Sequence, residues 1–411
     1  MKASKNLSEF YKESIVADIL GISKRSLSKF KKEDLISDSK KRKEGYIHVD
    51  LLQDLPPFQR MQDSNWKEEL KTKPLKEFKL IELFAGAGGL AIGMHKAGFN
   101  SLLLNDFDKD SCETLRRNRN WYVEHEDVSN LCFKKYKGNV DVLSGGFPCQ
   151  AFSYAGKKGG FNDTRGTLFF EFARAVKECK PKILLAENVR GLVSHDKGRT
   201  LETISNVIDE LGYDLIEPKI LKSIFYQVPQ KRERLFLVAV KKSLNAKNLY
   251  KYPDPYFRIM TLRDALKKGD LYKTDVPSSI GSIYPESKKK ILDMVPQGGY
   301  WRDLPIKYQK EYMRGSFHLG GGKTGMARRL SWDEPSLTLT CAPAQKQTER
   351  CHPDETRPLT VREYARIQTF PDNWEFMGSM SSQYKQIGNA VPVNLGYAVA
   401  RSLVRLLNEI S

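Results

Sequence analysis

The stretch FKLIELFAGAGGLAIG, Phe78–Gly93, decides the fold class. Its first half is an apolar run of strand length, and its second half passes through a glycine turn into a helical pattern. A strand that enters a helix through glycines brings bare backbone to the carboxyl edge of an open α/β sheet, where a ligand can approach closely. Gly86 and Gly88 fit the dinucleotide pattern G-x-G-x-x-G, with Ala91 in the third place. Alanine is tolerated there, so the turn alone leaves a nicotinamide dinucleotide open.

Further along the chain, SLLLN (101–105), VDVLS (140–144), KILLAE (182–187) and RLFLVAV (234–240) are also strand-like. Helical patterns lie between several of them, in residues 90–99, 108–118, 167–179 and 200–212. This alternation predicts an α/β domain with a doubly wound, mostly parallel sheet. It fades after Val240 and returns at Thr360–Ile367. A last helix is expected over about Val391–Glu409, with Leu395, Val399, Leu403, Leu406 and Ile410 as its apolar stripe. The expected division is a helical module over 1–60, a linker over 61–77, a catalytic and cofactor-binding domain over 78–245, a smaller irregular domain over 246–356, and a return to the catalytic domain over 357–411.

Composition narrows the function classes. The chain has 411 residues, 40% hydrophobic and 29% charged, and no apolar run approaches membrane-spanning length. The N-terminus has no apolar secretory segment, so a cytoplasmic location is expected. Lysine and arginine total 68 against 50 acidic residues, a net charge of +18, and residues 241–360 carry half of that excess. A polyanionic partner, usually nucleic acid, follows. None of the six cysteines forms a C-x-x-C or a zinc-finger spacing, so no metal site is expected.

Candidate site residues gather at the carboxyl ends of the strands. Asp106 stands 20 residues after Gly86, where a carboxylate can accept from ribose hydroxyls, and Asp127 follows the third strand, within reach of an adenine amino group. With the glycine turn they suggest a nucleoside ligand, and S-adenosylmethionine fits because it needs no pyrophosphate cradle. Cys149 lies just past the fourth strand in GGFPCQAFSYAGKKGGFNDTRGTLFF, as a reactive thiol would. The cationic glycine loop after it, with Lys157 and Lys158, suits a phosphate backbone. Glu187 ends the fifth strand, where burial can keep a carboxyl protonated. Gln230, Arg232 and Arg234 alternate in VPQKRERLFLVAV, so an extended chain sets them on one side.

FAGAGG, GGFPCQ, AENV, QKRER, RPLTVREYARIQTFPD and GNAVPVN occur in that order. This set resembles the motif series of the DNA (cytosine-5)-methyltransferases, over about residues 78–245 and 357–411. The resemblance implies transfer of a methyl group from S-adenosylmethionine to carbon 5 of a cytosine flipped out of double-stranded DNA. It implies Cys149 as the nucleophile at carbon 6, Glu187 on ring nitrogen N3 and the amino group, Arg234 on the carbonyl oxygen, and Arg232 in support. It assigns Phe84, Gly86, Gly88, Gly89, Asp106, Phe107, Asp127, Val128, Pro148, Leu168, Asn389 and Ala390 to the cofactor. Asp106 is shorter than the glutamate often found there. The base that removes the C5 proton is not identified, and water can serve.

In that family the insert, here about 246–356, recognises the target. Arg328, Arg329, Gln345, Lys346, Gln347 and Arg350 are its candidate DNA contacts, and Thr338–Arg350 is the expected base-reading stretch. Ser153, Lys157, Lys158 and Arg165 are expected to contact DNA from the loop after Cys149. Residues 14–34, SIVADILGISKRSLSKFKKED, resemble a helix-turn-helix, with Ala17 and Gly21 at the turn spacing and Lys24 and Arg25 facing DNA. The basic KKRKEGYIHVD could add a small wing. This module is expected to be separable from methylation, and by analogy to bind the enzyme's own promoter. The expected setting is a bacterial restriction–modification system whose endonuclease shares the target site. The rival readings are a transfer-RNA cytosine methyltransferase, a non-catalytic DNA-binding regulator and a nicotinamide oxidoreductase. Intact Cys149, Glu187, Arg232 and Arg234 argue against the regulator.

Overall fold

The computed structural model describes residues 10–23, 26–27, 42–43, 45–147, 168–320 and 323–411. The N-terminal part contains β1 (Phe10–Lys12), β2 (Arg42–Lys43) and β3 (Tyr46–His48), which form an antiparallel sheet in the order β1-β3-β2. The catalytic body contains β4 (Phe78–Leu83), β5 (Phe99–Asp106), β6 (Val123–His125), β7 (Val142–Gly145), β8 (Ile183–Val189), β9 (Tyr213–Leu215), β10 (Lys219–Lys222), β11 (Gln230–Lys231) and β12 (Glu233–Lys241). β13 (Ser336–Leu337) comes from the insert and pairs with β11.

The central sheet has eight strands in the order β10-β12-β8-β7-β4-β5-β6, with β9 alongside β12. The five strands from β8 to β6 are parallel, while β12 and its neighbours run antiparallel. β4 shows why the apolar runs are continuous. Phe78 and Leu80 pack towards helices Gly89–Lys96 and Val393–Glu409, while Ile81 and Leu83 pack towards helices Leu168–Cys179 and Arg199–Glu210. Both faces are therefore buried, as a parallel sheet requires. All five expected longer strands form, and the last helix buries Leu395, Val399, Leu403 and Leu406. A Cβ on Gly93 would stand 2.5 Å from the Tyr397 nitrogen, so a glycine there lets the last helix close on the first.

Three boundaries differ from expectation. Residues 61–77 are not a free linker: Trp66 is buried in the main core against Tyr226 and Tyr256, and Glu69 pairs with Arg405 at 2.6 Å. The insert is not one body either. Ala246 and Tyr250 join the sheet core, and Leu262, Leu330 and Leu339 join the core around helices Val361–Ile367 and Met380–Asn389. A separate small core holds Tyr284, Leu292, Trp301, Met313, Met326 and Cys351. Finally, the N-terminal part is docked rather than detached, because Ile224 of the catalytic body and Ile259 of the insert complete its core of Tyr11, Ile15, Val16 and Ile19.

Within that part, helix Glu13–Leu20 ends at Gly21 in the left-handed conformation, and the Ile22 N–H returns to the Ala17 carbonyl. Residues 13–22 thus form one helix and a turn. Residues 28–41 and the expected DNA contacts Lys24 and Arg25 lie outside the described residues. β2 and β3 pair as a hairpin in the basic stretch proposed as a wing.

Candidate active site

β4 leaves the sheet at Phe84, whose φ of 58° is left-handed, and the turn continues through Gly86 (φ 53°) and Gly88 (φ 87°). A bulky residue adopts that conformation only when its surroundings enforce it, and such strain clusters at ligand sites. Asp106 holds the turn, with Oδ2 accepting from the Gly86 N–H at 2.7 Å and Oδ1 from the Asp108 N–H at 2.8 Å. Burial pushes the Asp106 carboxyl up, and the two N–H groups oppose that rise. A Cβ on Gly86 would meet open space, and Phe107 beside it is 73% exposed. The opening, the carboxylate and the exposed aromatic ring fit a nucleoside.

Gly89 packs so closely on the chain at Ala390 and Val391 that a Cβ would strike the Val391 carbonyl oxygen. The chain at Ala390 and Val391 therefore rests on the glycine turn. Asp127 is partly exposed, and its Oδ1 accepts from Ser129 N and Oγ, which hold its carboxyl below the usual range. Val128 is buried with the core of the second sheet face, and Leu168 is partly buried there. Pro148 lies outside the described residues.

One strand across from β7, Glu187 and Arg234 meet, with Arg234 Nε 2.6 Å from Glu187 Oε1. Both side chains are largely buried. Burial pushes the Glu187 carboxyl up, while Arg234 and then Arg232 pull it down. Glu187 Oε2 sits where a Cβ on Gly146 would come within 3.2 Å. The Asn188 side-chain amide donates to the Phe147 carbonyl at 2.9 Å, tying the end of β8 to the chain that leads to Cys149. Cys149 itself, with Ser153, Lys157, Lys158 and Arg165, lies outside the described residues.

Arg232 occupies a break between β11 and β12. It is buried and donates to the Leu339 carbonyl at 3.1 Å and the Gly388 carbonyl at 2.7 Å. Burial pushes its guanidinium down to about 9. In this arrangement Arg232 is a positioning residue, pinning the insert and the GNAVP corner together. Gln230 donates to Gln368 Oε1 at 2.9 Å and accepts from Leu339 N–H, and Gln368 in turn donates to the Ile387 and Ala390 carbonyls.

Sequence reasoning missed Gln368, and it missed Glu82. Glu82 faces the same side of β4 as Leu80, and cross-strand register places it beside Ser144. It is 3% exposed, and among the described residues neither its Oε2 nor Ser144 Oγ has a hydrogen-bond partner. Burial, with Asp106 and Glu187 nearby, pushes the Glu82 carboxyl up to about 8. A carboxylate on the core-facing side of an apolar strand was the available signal.

Two expected DNA contacts in the insert are corrected. Arg329 is buried, and it donates to the carbonyls of Val295, Leu292 and His352 and to Thr356 Oγ1. Arg350 is buried and donates to the carbonyls of Thr338 and Glu349. Both bind carbonyls that the irregular chain leaves without strand partners. Arg328 is partly buried over the Tyr300 ring, and Lys346 sits over the Tyr312 ring. Gln345 and Gln347 are exposed.

This geometry agrees with what the chain resembles. Residues 78–405 match the C-5 cytosine-specific DNA methylase family, and the chain belongs to it. It is 61% identical over 408 residues to Type II methyltransferase M.Eco47II of Escherichia coli, covering 98% of both chains. It is 56% identical over 402 residues to Type II methyltransferase M.PspPI of Psychrobacter sp., covering 97% of this chain and 96% of that one. The fold is also that of the Dnmt2 methyltransferase of S. pombe, with a TM-score of 0.55 at 18% identity over 82% of this chain and all of that one. The chain is thus a DNA (cytosine-5)-methyltransferase. Among the described residues, no helix is long and apolar enough to cross a membrane.

Proposed function

We propose that the chain methylates carbon 5 of a flipped-out cytosine in a specific double-stranded DNA sequence, as the modification enzyme of a restriction–modification system. The Glu187–Arg234 pair beside Gly146 carries this reading, because it sets a carboxyl and a guanidinium where a cytosine edge would need them. S-adenosylmethionine, when bound, supplies an electrophilic methyl group. Asp106 would hold its ribose, Phe84, Phe107 and Val128 its adenine ring, and Asp127 the adenine amino group. Asn389, Ala390, Pro148 and Leu168 would close the site around it.

Cys149, as thiolate, adds to carbon 6 of the cytosine. Glu187 donates its proton to N3, so the electron pair displaced from the ring makes carbon 5 an enamine nucleophile. Arg234 binds the carbonyl oxygen and keeps Glu187 in place. After transfer, a base removes the C5 proton, the C5–H electrons re-form the C5–C6 double bond as Cys149 leaves carbon 6 with its bonding pair, and N3 returns its proton to Glu187. Duplex DNA carrying 5-fluorocytosine at the target tests the assignment, since fluorine cannot leave as a cation. A methylated adduct stable to denaturing electrophoresis should form only with S-adenosylmethionine and should map to Cys149. Cys149→Ser should form none, because a hydroxyl is far less nucleophilic near neutral pH. An adduct at another cysteine would overturn the assignment.

A further inference from the structure

The N-terminal part joins the catalytic body at one particular place. Its apolar core is completed by Ile224 and Ile259, and a chain of charges runs beside that seam. Asp18 Oδ2 pairs with Lys231 Nζ at 2.7 Å, and Lys231 and Lys12 both reach Glu334, at 3.6 Å and 3.7 Å. Lys222 Nζ donates to the Asp18 carbonyl at 3.1 Å. Lys231 belongs to the QKRER motif and Glu334 to the insert, so the helix Glu13–Leu20 is latched to both at once. The turn after that helix is then held beside the catalytic strands.

Between the two lies a cleft of about 450 Å³. Ala17, Gly21 and Ile22 form one wall, and Val189, Arg190 and Arg234 stand in the other. Val189 is 46% exposed although it ends a core strand, and Arg190 is also exposed. Five cationic and two acidic residues line the cleft. A cationic trough that begins at a base-binding arginine suits the phosphates next to an extruded nucleotide.

We infer that the N-terminal module is a wall of the substrate cleft and binds the sugar–phosphate backbone of the same duplex whose cytosine is methylated. This rests on the proposed function, and it replaces the expectation that the module is separable from methylation. A docked wall cannot be removed without exposing Ile224 and Ile259, and it cannot be turned to a distant promoter without breaking the Asp18–Lys231 latch.

A pair of opposite charges at one position in the full chain provides the test. Ile22→Glu and Ile22→Lys introduce charged side chains of similar length, and the Tm of each variant without DNA reports its damage to the fold. A phosphate facing that wall moves them apart. Dissociation constants for a duplex with one target site, read by fluorescence anisotropy at two salt concentrations, should rise about tenfold for Ile22→Glu. Ile22→Lys should bind at least as tightly as the parent, with the salt slope steeper by about one contact. Equal constants in the two variants, whether parental or both raised, would overturn the inference. So would a difference seen only with DNA lacking the target, which would mark an independent module. Methyl transfer by the parent is measured separately, and its absence would count against the proposed function while leaving the binding comparison readable.

Discussion

Arg234 Nε lies 2.6 Å from Glu187 Oε1 across the antiparallel junction of β8 and β12. The two strands run in opposite directions, so the last residues of one meet the first residues of the other at the ligand edge. Burial favours the protonated Glu187 and the neighbouring guanidinium favours the ionised one. The pair therefore sets the pH range in which Glu187 can donate to N3.

Removing the cation should shift that balance in a known direction. In Arg234→Gln the Glu187 carboxyl rises further, so its acid form persists to higher pH. The maximal rate of 5-fluorocytosine trapping should fall by about 10²–10³ through the lost contact to the carbonyl oxygen. The alkaline limb of its pH profile should move upward. A limb that moves down, or stays in place, would separate Arg234 from the ionisation of Glu187.

The glycine turn separates packing from ligand space. Gly89→Ala places a methyl group against the Val391 carbonyl and should lower stability by about 1–3 kcal/mol. Gly86→Ala meets no atom of the described residues within 4 Å and costs the left-handed backbone strain, about 1–2 kcal/mol. Its methyl group would stand in the opening assigned to the nucleoside. Thermal unfolding with and without S-adenosylmethionine should show a lost cofactor-induced Tm rise for Gly86→Ala. Both variants should have a lower Tm than the parent without cofactor, and the cofactor-induced rise should survive in Gly89→Ala.

The sheet was legible because each strand is buried on both faces and reads as an apolar run, with helices between. Glu187, Asp106 and the glycine turn were legible because the carboxyl edge of such a sheet is where ligands bind. The insert was not. Its fold depends on buried arginines that satisfy carbonyls, and in a sequence Arg329 and Arg350 look the same as phosphate-binding arginines. Trp66 and Ile224 were similarly unreadable, since the contacts that bury them join segments far apart in the chain. Glu82 could have been found from strand alternation alone.

Arg329 and the exposed glutamines should respond to substitution in opposite ways. Arg329→Ala strands several buried carbonyls and should cost at least about 3 kcal/mol, with the methylated sequence unchanged in whatever folded protein remains. Gln345→Ala and Gln347→Ala remove no hydrogen bond of the core and should leave the urea midpoint in place. If the 338–350 stretch reads bases, they should relax or change the methylated site. Bisulfite sequencing of plasmid DNA from expressing cells reads the site, and denaturation of the purified variants reads the stability.

Glu82 predicts a pH dependence of folding with a definite sign. Its carboxyl is pushed up from 4.5 to about 8, mainly by burial and then by Asp106 and Glu187. Between those values the folded chain holds a proton at Glu82 that the unfolded chain has released. Stability must therefore fall as pH rises through that window and level off above it. Glu82→Gln carries a neutral side chain of the same shape and has nothing to titrate. The two proteins should be about equally stable near pH 4.5. The variant should become the more stable as pH rises, by an amount on the order of 3–5 kcal/mol near pH 8. Asp106 and Glu187 are also pushed up by burial, but they remain in both proteins, so the difference between the two curves reports Glu82. Urea denaturation at closely spaced pH values and constant ionic strength gives both curves. If they run parallel, Glu82 is not held protonated in the folded chain.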